Sequence, residues 1–118
     1  MSKYFSEAEL VCKCCGKLPP EGMDEDLLSI LDSIRDKVGS PVKLSCAYRC
    51  PKHNQECNGV PNSQHIYGRA ADILLPYGWS VNKLAKLAEE CGADGIGSYY
   101  DAEFVHVDTR GYPARWEE

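Results

Sequence analysis

Asp72 stands inside the apolar run Ala70-Ala71-Asp72-Ile73-Leu74-Leu75, and His106 interrupts a second one, Phe104-Val105-His106-Val107. A carboxylate carried into a buried strand is costly unless it is paired or bound to a cation. Two polar intrusions into two core strands suggest one shared polar site. The chain has three histidines, few enough for each to be weighed. His65 lies in Ser63-Gln64-His65-Ile66-Tyr67-Gly68, shortly before Asp72. Neutral imidazole and carboxylate are the usual ligands of a catalytic zinc, where three protein ligands leave one tetrahedral corner open. A His–Asp hydrogen bond or a buried salt bridge accounts for the same pattern without a metal. His53, in Cys50-Pro51-Lys52-His53-Asn54, reads as structural.

Seven cysteines are many for this length: Cys12, Cys14, Cys15, Cys46, Cys50, Cys57 and Cys91. The odd count leaves at least one unpaired within a monomer. Met1 to Leu10 is polar and shows no apolar core of a signal peptide, so a cytosolic start and reduced thiols are expected. Cys12-Lys13-Cys14-Cys15 could bind a structural metal with a partner such as Cys50 or Cys57. No second CxxC-type pair accompanies it, and small buried hydrophobes are the plainer reading.

The elements around these residues are legible in the same sequence. Phe5 to Leu10 looks like a short helix, with Ser6 and Glu9 at capping-box spacing. Leu27, Leu28, Ile30, Leu31, Ile34 and Val38 make one buried stripe on a helix from about Asp24 to Val38, which Gly39 and Pro41 end. Pro41 to Ser45 reads as a strand, Pro51 to Cys57 as a short helix, and Asn58 to Ser63 as a turn. Ala70 to Leu75 reads as a buried strand. Ser80 caps a second long helix whose inward residues are Val81, Leu84, Leu87, Ala88 and Cys91, and Gly92 stops it. Gly95 to Tyr99 and Phe104 to Thr109 read as the last two strands, and Trp116 packs the tail down. Mixed elements with short connections predict an α+β fold, a small antiparallel or mixed sheet packed with helices.

The totals agree. At 118 residues, 43% hydrophobic and 26% charged, the chain is expected to form one globular domain over residues 1–118, as a monomer. The net charge of −5, with no run of lysine or arginine, argues against nucleic acid or an anionic membrane as a partner. The longest apolar stretch, about Ala70 to Pro76, is far too short to cross a bilayer.

The motifs also occur in a familiar order. Ser63-x-His65, Gly68-x-Ala70-x-Asp72 and a later strand histidine resemble the zinc D-Ala-D-Ala carboxypeptidase family. Its superfamily includes D,D-dipeptidases, phage L-alanyl-D-glutamate endolysins and the hedgehog signalling domain. Phe5-Ser6-x-x-Glu9-Leu10-x-Cys12, Leu44-Ser45-Cys46-Ala47-Tyr48-Arg49, Gly95-Ile96-Gly97 and Phe104-Val105-His106-Val107-Asp108-Thr109-Arg110 extend the resemblance over nearly the whole chain.

The resemblance implies a hedgehog/D,D-peptidase-like fold and one catalytic zinc ion held by His65, Asp72 and His106. It implies hydrolysis of peptidoglycan stem peptides, first as a D-Ala-D-Ala carboxypeptidase. An endolysin-type L-Ala-D-Glu or cross-link endopeptidase is the alternative, and a non-catalytic zinc-binding interaction domain is the rival from another class. A cysteine-based redox or structural protein is a third reading. Arg49 matches an arginine that contacts substrate and developing negative charge, with a structural salt bridge as its other reading. Ser63 matches a substrate-contacting serine, with a turn cap as its other reading. Cys46 replaces a common glycine, leaving a thiol near the site that reads as buried, with an accessory ligand as its other reading. For the general base, Glu103 occupies the place used by the dipeptidases, three residues before the last ligand. Strand alternation nevertheless puts Phe104, His106 and Asp108 on one face and Glu103 on the other, unless the strand begins only after it. Asp108 is the rival base, or a partner that orients His106 or Arg49. Tyr48, Tyr67, Tyr99 and Tyr100 either line a groove or pack the core and rim. With no export signal or wall-binding domain in view, the expectation is a phage or prophage lysis or tail-associated protein, cytoplasmic as synthesised and reaching the wall after lysis.

Overall fold

The computed structural model describes residues 3–13, 15–56 and 63–118. Cys14, Cys57 and most of the expected Asn58–Ser63 turn lie outside the described residues. The elements run α1 (Glu7–Leu10), α2 (Glu25–Val38), β1 (Leu44–Cys46), α3 (Pro51–Glu56), β2 (Ala70–Leu74), α4 (Val81–Glu90), β3 (Gly95–Tyr99), β4 (Phe104–Asp108) and β5 (Ala114–Glu117). The fold is α+β, with a five-stranded sheet in the order β1-β2-β4-β3-β5. The β3–β5 pair is parallel and the other pairs are antiparallel.

Local chemistry explains the helices. Asp24 caps α2 by accepting from Leu27 N–H at 3.2 Å, and Gly39 closes it in the left-handed region at φ 76°. Ser80 caps α4 in the same way, accepting from Lys83 N–H at 3.1 Å. In α1, Glu9 reaches back to Ser6 N–H at 3.3 Å.

The sheet has two unlike faces. Ile73 of β2, Val105 and Val107 of β4 and Ile96 of β3 are buried in the core with Leu27, Leu31 and Ile34 of α2 and Leu84 and Ala88 of α4. Helix α4 packs directly on β3 and β4. Leu84 is fully buried, so its truncation to alanine would cost about 2–5 kcal/mol. Alternation along each strand sends the intervening residues to the opposite face, and the polar ones are there.

Two elements depart from the sequence reading. The first strand begins at Leu44 rather than Pro41. Its register with β2 is irregular, and Pro41 has no N–H to offer a ladder. The terminal segment around Trp116, expected only to pack the tail, is a fifth strand, paired with β3 from Gly95↔Ala114 to Ser98↔Glu117. Its four residues alternate only between half-buried and exposed, too weak a pattern to read as a strand. No helix among the described residues is long and apolar enough to cross a membrane.

Candidate metal centre

One row of register partners crosses the whole sheet. Cys46 pairs with Asp72, Asp72 with His106, His106 with Gly97, and Gly97 with Trp116. Asp72 and His106 are therefore direct cross-strand neighbours on one face, as their intrusion into two apolar runs suggested. His65 joins them from a turn. Ser63 Oγ accepts from His65 N–H at 3.2 Å, and Gly68 N–H closes the turn on His65 O at 3.3 Å. Gly68 has φ 68°, and a Cβ there would lie 2.8 Å from the Pro19 ring. The residue must be glycine on both counts. Asp24 N–H donates to Gly68 O at 2.9 Å, tying the turn to the start of α2.

The side chains of His65, Asp72 and His106 meet. Asp72 Oδ1 lies 3.3 Å from His65 Nε2 and 3.1 Å from His106 Nδ1, and the two imidazole rings are 5.1 Å apart, edge to face. All three residues are buried. The far nitrogen of each ring is held as well. His65 Nδ1 is 2.7 Å from the Ala47 carbonyl, which can only accept, so Nδ1 carries the hydrogen. His106 Nε2 is 2.7 Å from Asp108 Oδ2 and donates to it. Each ring thus presents its other nitrogen to the same carboxylate oxygen. Nitrogen lone pairs facing a carboxylate oxygen repel it, so a proton or another cation must lie among them. A neutral-imidazole and carboxylate donor set of this kind, with backbone and carboxylate partners behind the imidazoles, fits a divalent metal ion.

The electrostatics point the same way. Burial pushes the His65 imidazolium down, but the Asp72 and Cys46 hydrogen bonds outweigh it and raise its pKa to about 10. Burial pushes the Asp72 carboxyl up, yet its hydrogen bonds with His106 and His65 hold it well below the usual carboxylate range. The pocket is built for positive charge, and a proton on His65 supplies it when no ion does.

Asp108 is fully buried. Besides His106, it accepts from Gly95 N–H at 3.0 Å and from Arg110 Nε at 2.9 Å and Nη2 at 2.6 Å. Burial raises its pKa, but His106 and Arg110 together take it well below the ordinary value. Its partners are His106 and Arg110 rather than Arg49.

Cys46 is half-buried beside the site. Its Sγ is 3.8 Å from His65 Nδ1, and donor atoms of Cys46, His65 and Asp72 lie within 4.8 Å of one another. Burial raises the thiol pKa, but the His65 hydrogen bond turns the net shift downward. Arg49 donates to Asn54 Oδ1 at 3.0 Å and to Cys46 Sγ at 3.6 Å, while its Nε is buried with no partner among the described residues. Ser63 Oγ is occupied in the turn cap. Glu103 is exposed in the β3–β4 turn, with φ 57°, and β4 begins at the next residue.

Trp116 is the residue that sequence reasoning missed as part of the site. Its ring lies 5.1 Å from the His106 ring, Arg110 sits over it, and its Nε1 donates to Tyr99 Oη at 3.0 Å. The available signal was Gly95-Ile96-Gly97. A Cβ on Gly97 would meet the Trp116 ring at 2.5 Å, and one on Gly95 would meet Asp108 at 2.3 Å. Tyr99 stacks on Phe104 at 4.3 Å beside the Trp116 ring, Tyr48 is core, and Tyr67 and Tyr100 are exposed. His53 lies away from this centre, against Cys12.

Comparison with known proteins brings in one family. A family model described as Peptidase M15 matches residues 3–108. The protein named probable peptidoglycan L,D-endopeptidase MepK from Haemophilus influenzae is 32% identical over 95 residues, covering 74% of this chain and 50% of its own length. Peptidoglycan L,D-endopeptidase MepK from Escherichia coli K12 is 30% identical over 102 residues, covering 80% of this chain and 54% of its own. The chain therefore spans about half the length of these relatives.

Proposed function

Because this chain belongs to the Peptidase M15 family, we propose that it is a zinc-dependent peptidase that hydrolyses peptidoglycan stem peptides, with His65, Asp72 and His106 as the metal ligands. The observation that carries the reading is the meeting of His65 Nε2 and His106 Nδ1 at Asp72 Oδ1, with both far nitrogens held by acceptors. The names of the relatives favour an L,D-endopeptidase over the D-Ala-D-Ala carboxypeptidase that the motifs first suggested.

His65, Asp72 and His106 would hold the ion, which when bound would supply Lewis acidity toward a carbonyl and a water molecule. The remaining work falls to the chain. Glu103 is the more accessible of the two carboxylates and is the one we assign to take a proton. It is exposed, and β4 begins only after it, so strand alternation does not turn its side chain away from the site. Its left-handed backbone is a local strain of the kind that collects at functional sites. Asp108 has no exposure and its oxygens are engaged by His106, Arg110 and Gly95, so it positions His106 rather than moving a proton. Arg49, whose buried Nε has no partner among the described residues, supplies donors for a substrate carboxylate or a developing oxyanion. Ser63 shapes the turn that presents His65. Trp116, Tyr99 and Phe104 form an aromatic wall along one side of the row, suited to packing against a peptide.

Mass spectrometry of fragments released from purified peptidoglycan tests both levels. Cleavage at an L,D bond is expected. Release of terminal D-alanine alone would return the reading to a carboxypeptidase, and bound metal without any cleavage would favour an interaction domain. Glu103→Gln should retain zinc and lose about 10²–10⁴ of the turnover, the usual worth of a general base. If Glu103→Gln stays active while Asp108→Asn keeps its metal and loses turnover, the base is Asp108.

A further inference from the structure

A second group of metal-ligating side chains lies outside this centre. Cys12, Cys15 and Cys50 bring their sulfurs within 4.8 Å of one another. Cys12 is fully buried, Cys50 half-buried and Cys15 exposed. His53 Nδ1 lies 3.5 Å from Cys12 Sγ. In sequence these residues are Cys12-x-x-Cys15 followed by Gly16, and Cys50-x-x-His53. The fold thus gathers the three sulfurs into one group and sets His53 at its edge, beside Cys12.

We propose that Cys12, Cys15 and Cys50, with His53 as the fourth donor, bind a structural zinc ion distinct from the catalytic one. Three observations support it. Gly16 adopts φ 67° and donates its N–H to Cys12 O at 2.8 Å, so the backbone folds back tightly and brings Cys12 and Cys15 together. Two backbone N–H groups point at sulfur: Cys50 N–H at Cys12 Sγ and His53 N–H at Cys50 Sγ, both at 3.4 Å. Such donors favour thiolates, and clustered thiolates repel unless a cation lies between them. Finally, the 3.5 Å Cys12–His53 separation suits the S–N edge of a tetrahedron with Zn–S of about 2.3 Å and Zn–N of about 2.0 Å. Soft sulfur donors with one imidazole select zinc over the hard divalent cations.

The site also has a structural purpose. It would clip the segment after α1 to the segment entering α3, close to Tyr48 N–H on Leu10 O at 3.1 Å. Between β1 and Cys50 lie Ala47, whose carbonyl holds His65, and Arg49. Fixing Cys50 therefore steadies the backbone behind the catalytic histidine.

The test counts metal in the full chain by plasma mass spectrometry after dialysis against metal-free buffer. The wild type is expected to hold two zinc ions, and Cys15→Ser and Cys50→Ser one each. The His65→Ala/His106→Ala double variant is expected to keep the thiolate-bound ion. With cobalt in place of zinc, that double variant should show an intense sulfur-to-cobalt charge-transfer band, which an added Cys15→Ser removes. Cys15 is exposed, so its substitution leaves packing intact even if Cys12→Ser fails to fold. A wild type holding a single ion that is lost from the double variant would overturn the proposal. So would a disulfide joining any two of Cys12, Cys15 and Cys50 in non-reducing peptide maps.

Discussion

At the scale of single residues, Asp108 and Cys46 flank the two histidines, and only Asp108 is expected to matter for metal affinity. Asp108 accepts the Nε2 hydrogen of His106 at 2.7 Å and is itself held by Arg110 and Gly95. It fixes both the tautomer and the ring angle of His106. Partners of this kind typically contribute 10–100-fold in metal affinity. Asp108→Asn, which keeps the shape and loses the charge, should weaken zinc by about that factor in competition with a chromophoric chelator. Cys46 lies on the Nδ1 side of His65, the side already occupied by the Ala47 carbonyl, rather than on the Nε2 side that faces Asp72. Cys46→Ser should leave zinc affinity within a few-fold of wild type. A loss comparable to that of His106→Ala would make Cys46 a ligand and require the metal set to be redrawn around the Cys46, His65 and Asp72 group.

At the scale of elements, β3 serves the site through what it lacks. Gly95 and Gly97 point to the same face as His106, and a methyl group at either would overlap Asp108 or Trp116. Gly97→Ala should cost about 1–3 kcal/mol in urea unfolding by overpacking and change Trp116 fluorescence. Part of that loss should be recovered with Trp116→Leu, a coupling that a double-mutant cycle reads directly. Additive effects would show that the two residues do not share the space. The same strand shows what sequence could reveal. Helices α2 and α4 were legible because Asp24, Ser80 and Gly39 mark their ends and a single apolar stripe runs between. Asp72 and His106 were legible because a buried polar residue breaks an apolar run. Strand β5 was not, since an edge strand of four half-exposed residues has too little pattern to detect. The Ala47 carbonyl was invisible for a different reason, because a backbone acceptor carries no residue signature. The Cys50-x-x-His53 pair was present in the sequence, but only the fold brings it beside Cys12.

For the whole molecule, the buried charges of the candidate metal centre should set how stability responds to pH and to added metal. In the metal-free protein, Asp72 and Asp108 are held below their unfolded value of about 3.9, so their contribution is complete above that pH and lost as pH falls through the folded values. His65 behaves in the opposite sense. Its pKa rises from about 6.5 in the unfolded chain to about 10 in the folded one, so its contribution is complete below about 6.5 and fades as pH climbs toward 10. Thermal unfolding in the presence of a chelator should therefore give the highest Tm between about pH 5 and 6.5, with a decline on each side. On the proposed ligand set, zinc would replace the proton on His65, so its binding should release a proton at neutral pH and tighten as pH rises. A zinc concentration 100-fold above Kd would add about 2.7 kcal/mol and flatten the alkaline decline. His65→Ala should lose that decline in the metal-free protein while keeping the acid one. An alkaline limb that persists unchanged in His65→Ala, or that zinc leaves untouched, would mean that the charge of this centre is not what ties the fold to the ion.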